Sequence, residues 1–269
     1  MDRVLTFVNS DRPYVRWGTV LLALLIGGVI WEIVGLQFNQ AIMAPLIGDG
    51  VDHPGTLPRL GRYLFDDEEY LLSLVQSIQL FATGFGLALA VALPFGIILA
   101  RLVMLRVALE SYILMLYVTP MIALIPFILS ILGFDFWPKV LVVYLFAFFP
   151  ILYNTLEGAR SVKPELLEVA KSFRSSELAI WTDILIPYTL PYALTGIRQA
   201  AGRALVGMVA AEFFLSTSGL GEELQTASRN FDMAGVLATI LVITGLGITF
   251  MKIAGVFEQK FSAWRGLDR

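Results

Sequence analysis

Six stretches of this chain are apolar over the length that crosses a lipid bilayer, and no other feature restricts its fold so strongly. A hydrocarbon core about 30 Å thick takes about 20 helical residues at 1.5 Å rise each. With no water to bond the backbone, such a segment satisfies its own N–H and C=O groups by forming a helix. The stretches are 17–36, 70–100, 107–132, 140–156, 192–215 and 231–257. Of the 269 residues, 57% are hydrophobic and 15% charged, against about a quarter charged in a soluble domain. The expected fold is an all-α polytopic membrane protein, with six transmembrane helices in one domain covering 1–269. The first apolar run is longer than a signal-peptide core and has no A-x-A site after it, so it is expected to stay as a span.

Six spans place both termini on one side, and lysine and arginine decide which. With the N-terminus inside, thirteen of these residues fall in inner segments, while only Arg59, Arg62, Lys139 and Arg229 fall in outer ones. Both termini are therefore expected in the cytoplasm. Residues 1–16 form a cytoplasmic tail, 37–69 an acidic extracytoplasmic loop, and 157–191 a second cytoplasmic loop between helices 4 and 5.

Many chemistries are missing. The chain has no cysteine, which excludes disulfides, thiolate metal ligands and cysteine nucleophiles. No G-x-x-x-x-G-K-[ST] phosphate loop is present, and "GFGLAL" and "GLGITF" lack the third glycine of a dinucleotide fingerprint and sit inside apolar helices. No G-x-S-x-G or H-E-x-x-H occurs. The single histidine, His53, lies beside Pro54 in the outer loop and reads as a surface residue. No catalytic residue, metal site or cofactor is expected. Uphill transport by such a chain would draw on an ion gradient or on another subunit.

Ion-coupled carriers usually hold acids or histidines near mid-membrane. Here Glu32 and Glu110 lie near span ends, and only the fifth span is charged within, at Arg198, Arg203 and Glu212. Arg198 is about 9 Å from the inner end and can snorkel, whereas Arg203 is about 16 Å in. Two readings stand for Arg203: pairing with a carbonyl or a neighbouring subunit, or positive potential for an anionic solute. The small residues Gly196, Ala200, Ala204 and Gly207 allow close helix packing. Alternatively, spans three and five, with their prolines and glycines, line a pathway.

The cytoplasmic stretch 161–191 is different in kind. Pro164 suits a first helical position, and Glu165 follows where negative charge favours a helix N-terminus. Leu166, Val169, Ala170 and Phe173 form an apolar stripe, with Glu165, Glu168, Lys171 and Ser172 on the other side. Ser175 and Ser176 can cap a second short helix, expected to end at Pro187, with Pro191 opening the next span. Such an element could lie on the inner leaflet, or dock in a groove of a cytoplasmic partner.

The stretch "ELLEVAKSFRSSELAIWTDILIPYTLPYALTGIRQAAGRALVGMVAAEFF" resembles the cytoplasmic EAA loop and following helix of bacterial ABC importer permeases. Glu168, Val169 and Ala170 match the triplet except at its middle residue, and Ile184 to Pro187 fill its I-x-L-P end, with Ile186 where leucine is usual. "GIRQAAGRALVGMVAAEFF…SGLG" and "TPMIALIPFILSILGF" resemble the nitrate/taurine/alkanesulfonate branch. The likeness runs from about Leu72 to Trp264. At Arg174 the family pattern has glycine, which would permit a left-handed backbone that costs arginine about 1 kcal/mol or more.

The resemblance implies a type I importer permease fold in the bacterial inner membrane, dimeric and moved by two cytoplasmic ATPase subunits. An extracytoplasmic binding protein would deliver a small anionic solute. It also implies that Glu168, Ala170, Lys171, Phe173 and Arg174 face the ATPase, with Pro187 and Pro191 fixing the link to span five. Pro120, Met121, Arg203 and Glu212 are the candidates for the pathway. Three alternatives remain: one half of a heterodimeric permease, a secondary carrier, or a channel.

Overall fold

The computed structural model describes residues 13–39, 42–49, 54–215 and 218–262. These are helical apart from short loops and one isolated β-bridge, Gly48 to Pro54. In chain order the main helices are α1 (Pro13–Gln37), α2 (Thr56–Phe65), α3 (Glu68–Arg101), α4 (Val103–Val118), α5 (Met121–Leu132), α6 (Phe136–Arg160), α7 (Pro164–Ser172), α8 (Ile186–Leu215), α9 (Leu220–Arg229) and α10 (Met233–Ser262). Four are long and apolar enough to cross a membrane: α1, α3, α6 and α10. The pair α4 and α5, bent by 96°, makes a fifth if it is one span. Helix α8 has the length, at 30 residues, but carries Arg198, Arg203 and Glu212 and is not among them. His53 lies outside the described residues.

The chain divides into two compact units. The first takes in Met1–Leu71 and Glu223–Val242. Here Glu32 accepts from the backbone N–H groups of Ile47 (2.8 Å) and Gly48 (2.9 Å), and the Trp31 indole donates to the Ala44 carbonyl at 3.0 Å. The acid at the end of α1 thus orders the loop that follows. Arg59 of α2 pairs with Asp232 at 2.5 Å, and Tyr63 stacks on Tyr70 at 4.1 Å.

The second unit takes in Leu72–Glu222 and Ile243–Arg269. Its core is built on α6, which packs along most of α8. Leu80, Ala88, Ala92 and Leu99 of α3 meet Val143, Ala147, Ile151 and Leu152 of α6, and Ala200, Ala204 and Met208 of α8. Small residues let these backbones approach, as their placement in the sequence suggests. A Cβ on Gly196 would stand 2.7 Å from that of Asn154, and one on Gly207 would stand 2.7 Å from the Phe146 ring.

Two expectations about prolines change. The third apolar run is not one straight helix, because Thr119, the residue before Pro120, takes extended dihedrals (φ −58°, ψ 132°) and ends α4. A proline ring disfavours the helical region for the residue before it, and here the chain turns and α5 restarts at Met121. Pro187 in turn does not end a helix. A helical turn Glu177–Ala179 passes through a π-helical segment, Ile180–Leu185, straight into α8, with Pro187 and Pro191 inside the continuous run. A proline removes one N–H and crowds the carbonyl four residues back. The wider π turn lies one turn upstream, where that carbonyl must be accommodated.

Candidate functional site

The first candidate is the segment joining α6 to α8. Pro164 is the first residue of α7, with Glu165 in its first turn and Lys171 in its last, as the macrodipole favours. At its far end Arg174 has φ 54°, the left-handed region. The Ser175 N–H donates to the Ala170 carbonyl at 3.0 Å and the Arg174 N–H to the Lys171 carbonyl at 2.9 Å. This 6→1 and 5→2 pair is a Schellman closure, with an arginine where glycine is usual. The turn thus keeps the glycine-type geometry despite its side chain.

The apolar stripe divides. Ala170 turns inward and is buried with Val162, Ile180 and Leu185, against Leu167 and Trp181, forming a small core that belongs to the segment itself. Its methyl group suits this close packing, so Ala170 offers no surface to a partner. Leu166, Val169, Phe173 and Leu178 are exposed, Phe173 at 82%, beside exposed Glu168, Lys171 and Arg174. Pro187 and Pro191 are half-buried at the start of α8. Arg101 at the end of α3 pairs with Glu177 at 2.5 Å, and Arg160 at the end of α6 with Glu110 (2.7 Å) and Glu157 (2.9 Å). Exposed pairs of this kind contribute about 1 kcal/mol or less each. Of these pairs only Arg101–Glu177 touches the segment, tying it to the end of α3.

The second candidate is a recess of about 260 Å³ at the bend between α4 and α5. Pro120, Met121 and Arg203 line it together. Arg203 lies on α8 one turn from Ala200, at the edge of the face that packs on α6, with its guanidinium 4.6 Å from the centre of the Tyr117 ring and donating to the Tyr117 hydroxyl at 3.2 Å. Tyr117, at the end of α4, stacks in turn on Tyr153 at 5.3 Å. Sequence reasoning missed Tyr117, Phe146 and Val206, because the 96° bend that brings α4 and α5 onto α8 carries no periodic signal.

Glu212 is not in that recess. It is buried, 1% exposed, and accepts from Ser77 Oγ at 2.8 Å and from the Gly221 N–H at 3.0 Å. Ser77 accepts in turn from the Leu220 N–H at 2.8 Å. Two donors of the first turn of α9 are therefore satisfied by side chains from α3 and α8, which is capping at a distance. A side chain on Gly219 would collide with the carboxylate, and φ there is +93°. Lys139, also buried, donates to Ser218 Oγ at 3.1 Å. The "SGLG" stretch, 218–221, is the turn into α9 wrapped on Glu212, and its glycines make room for the acid.

Over residues 92–263 the chain matches the family described as binding-protein-dependent transport system inner membrane component. It is 30% identical to a putative aliphatic sulfonates transport permease of Bacillus subtilis, over 96% of this chain and 91% of that one. A formylaminopyrimidine transport permease of Halalkalibacterium halodurans is 30% identical over 88% of this chain and 92% of its own. The taurine transport system permease of Escherichia coli is 26% identical over 96% of both chains.

Proposed function

The chain belongs to the binding-protein-dependent transport system inner membrane components, and from that premise we propose an ATP-driven importer in which it is the membrane pathway. As a permease it is a transport subunit and not itself an enzyme. In this reading it has six spans, counting α8 and taking α4 with α5 as one, and both termini are cytoplasmic. It sits in a bacterial inner membrane, pairs with a second copy, and binds two ATPase subunits and an extracytoplasmic binding protein. The solute is a small anion, in keeping with the sulfonate and taurine permeases it resembles.

The observation that carries this is the α7 segment. Exposed Leu166, Val169 and Phe173 stand on a short helix anchored at both ends to membrane-length helices, with its own small core to make it rigid. A helix face of that kind fits a groove on a partner. Closure of the ATPase pair on ATP would move α7, and α8, joined to it through the Arg174 turn and the π segment, would carry the movement toward Arg203. Opening alternates between the two sides of the membrane. Arg174 retains the left-handed turn, so it gives no support to a heterodimer.

The test is co-purification of the full-length tagged chain from its own host. Recovery of an ATP-binding subunit, with ATP-dependent solute uptake abolished by Glu168→Arg, is expected. Recovery of a second, different permease chain would remove the homodimer, and uptake that survives ATP depletion but stops with an uncoupler would favour a secondary carrier.

A further inference from the structure

A groove of about 540 Å³ runs between α3, α8 and α10 in the second unit, apart from the recess at Arg203. We infer that it seats one acyl chain of a phospholipid from the cytoplasmic leaflet. This rests on the reading of α8 as a membrane span, and not on the ATPase or the binding protein. The wall includes Phe81, Phe85 and Gly86 of α3, Leu194 and Ala201 of α8, and Phe250 of α10. Among the described residues that line it, none is polar or charged. Phe81 stacks on Phe250 at 4.1 Å and on Phe85 at 5.2 Å, which gives the groove an aromatic floor. Phe81, Leu194, Ala201 and Ala254 are buried, so the groove is cut into the bundle and is not a flat apolar surface.

The dimensions fit a lipid tail. The groove follows α3 from Phe81 to Leu89 and α8 from Leu190 to Ala201, about 12 Å and about 16 Å at 1.5 Å per residue. One leaflet is half of a hydrocarbon core about 30 Å thick. Leu190 lies at the cytoplasmic end of α8 and Ala201 near mid-span, which sets the groove in the inner leaflet on the proposed orientation. An apolar cavity of about 150 Å³ holds a six-carbon ring, so on that scale the groove takes roughly twenty carbons. The other side of α8 distinguishes lipid from protein as the occupant. Thr195, Gln199 and Arg203 are exposed along one face, and polar side chains at this depth turn to a water-filled cavity or another protein chain. At about 100° per residue, Leu194 and Ala201 lie about 160–180° round the helix from Arg203. A pathway or second copy that covers the polar face leaves the groove turned to the bilayer, where an uncharged wall complements an uncharged chain.

Photolabelling of the full-length protein in lipid nanodiscs, with a phosphatidylcholine carrying a diazirine at mid-chain and adducts mapped by mass spectrometry, tests this. Adducts per residue in the groove are expected to exceed those on Leu24 and Leu25 of α1 at least fivefold, although both leucines are strongly exposed (67% and 66%). A Cβ on Gly86 would meet nothing within 4 Å, so Gly86→Phe can enter the groove without displacing the packing. It should cut groove adducts at least threefold and leave those on α1 unchanged. Equal labelling of groove and α1 would mean boundary lipid only, and absent groove adducts would mean that a second copy fills it. Either result, or no effect of Gly86→Phe, would overturn the inference. The span is read separately with Ile197→Cys. Its modification by a membrane-impermeant maleimide would refute α8 as a span, whereas its protection together with equal labelling would retire the lipid site alone.

Discussion

Replacing Arg174 by glycine should stabilise the segment that links α6 to α8. At φ 54° an L-residue carries a left-handed penalty of about 1–2 kcal/mol. Glycine removes it but adds unfolded-chain entropy worth roughly 0.5–1 kcal/mol. The side chain is exposed and makes no ion pair among the described residues, so its loss adds nothing. The net gain is about 0.5–1 kcal/mol, which slows local opening by roughly two- to fivefold. Amide hydrogen exchange at Ser175, whose N–H closes the turn on Ala170, reads this directly. Arg174→Asn, which tolerates the left-handed region, should act in the same direction. Arg174→Val should speed exchange, because a branched β-carbon is least compatible with positive φ. Faster exchange in Arg174→Gly, or Arg174→Val indistinguishable from the native protein, would refute this reasoning.

Other substitutions test the packing. Glu212→Ala removes the acceptor for Ser77 and Gly221, leaving two buried donors at about 1–3 kcal/mol each; a large fall in thermal unfolding temperature in detergent is expected, with Glu212→Gln milder. Gly219→Ala should cost about 2 kcal/mol or more, since positive φ and the Glu212 carboxylate both oppose a side chain. Gly207→Val forces atoms into the Phe146 ring and should lose about 1–3 kcal/mol. Stability equal to the native protein in either glycine variant would contradict the described α6–α8 approach and loop.

The long helices were legible because apolar length alone encodes them. The segment around α7 was legible too, since Pro164, Glu165 and Lys171 sit where a short helix wants them. Arg174 stood out as the wrong residue for its turn, but only coordinates show that the turn keeps its dihedrals and accepts the strain. Pro187 misled because a helix can widen into a π turn instead of ending. Depth in a span made Glu212 look like a pathway residue, yet depth does not say which face a side chain takes. Its partner Ser77 is 135 residues away, and only tertiary packing brings the two together. Arg203 could be read either as a structural pair or as a solute contact, and its place above Tyr117 puts it at a recess walled by residues of α4, α5 and α6.

The importer reading of this chain depends on α7 and the turn after it touching an ATP-hydrolysing subunit. The chain has no cysteine, so Phe173→Cys provides a single thiol on the face proposed to dock. Phe65→Cys provides a control, equally exposed (83% against 82%) and on the face proposed to be extracytoplasmic. Each is labelled with a photoactivatable maleimide in membranes from the native host, irradiated, and its adducts identified by mass spectrometry. Docking at α7 predicts an adduct with an ATP-binding subunit from position 173 and none from position 65. No such adduct from 173, or equal adducts from both, would contradict it.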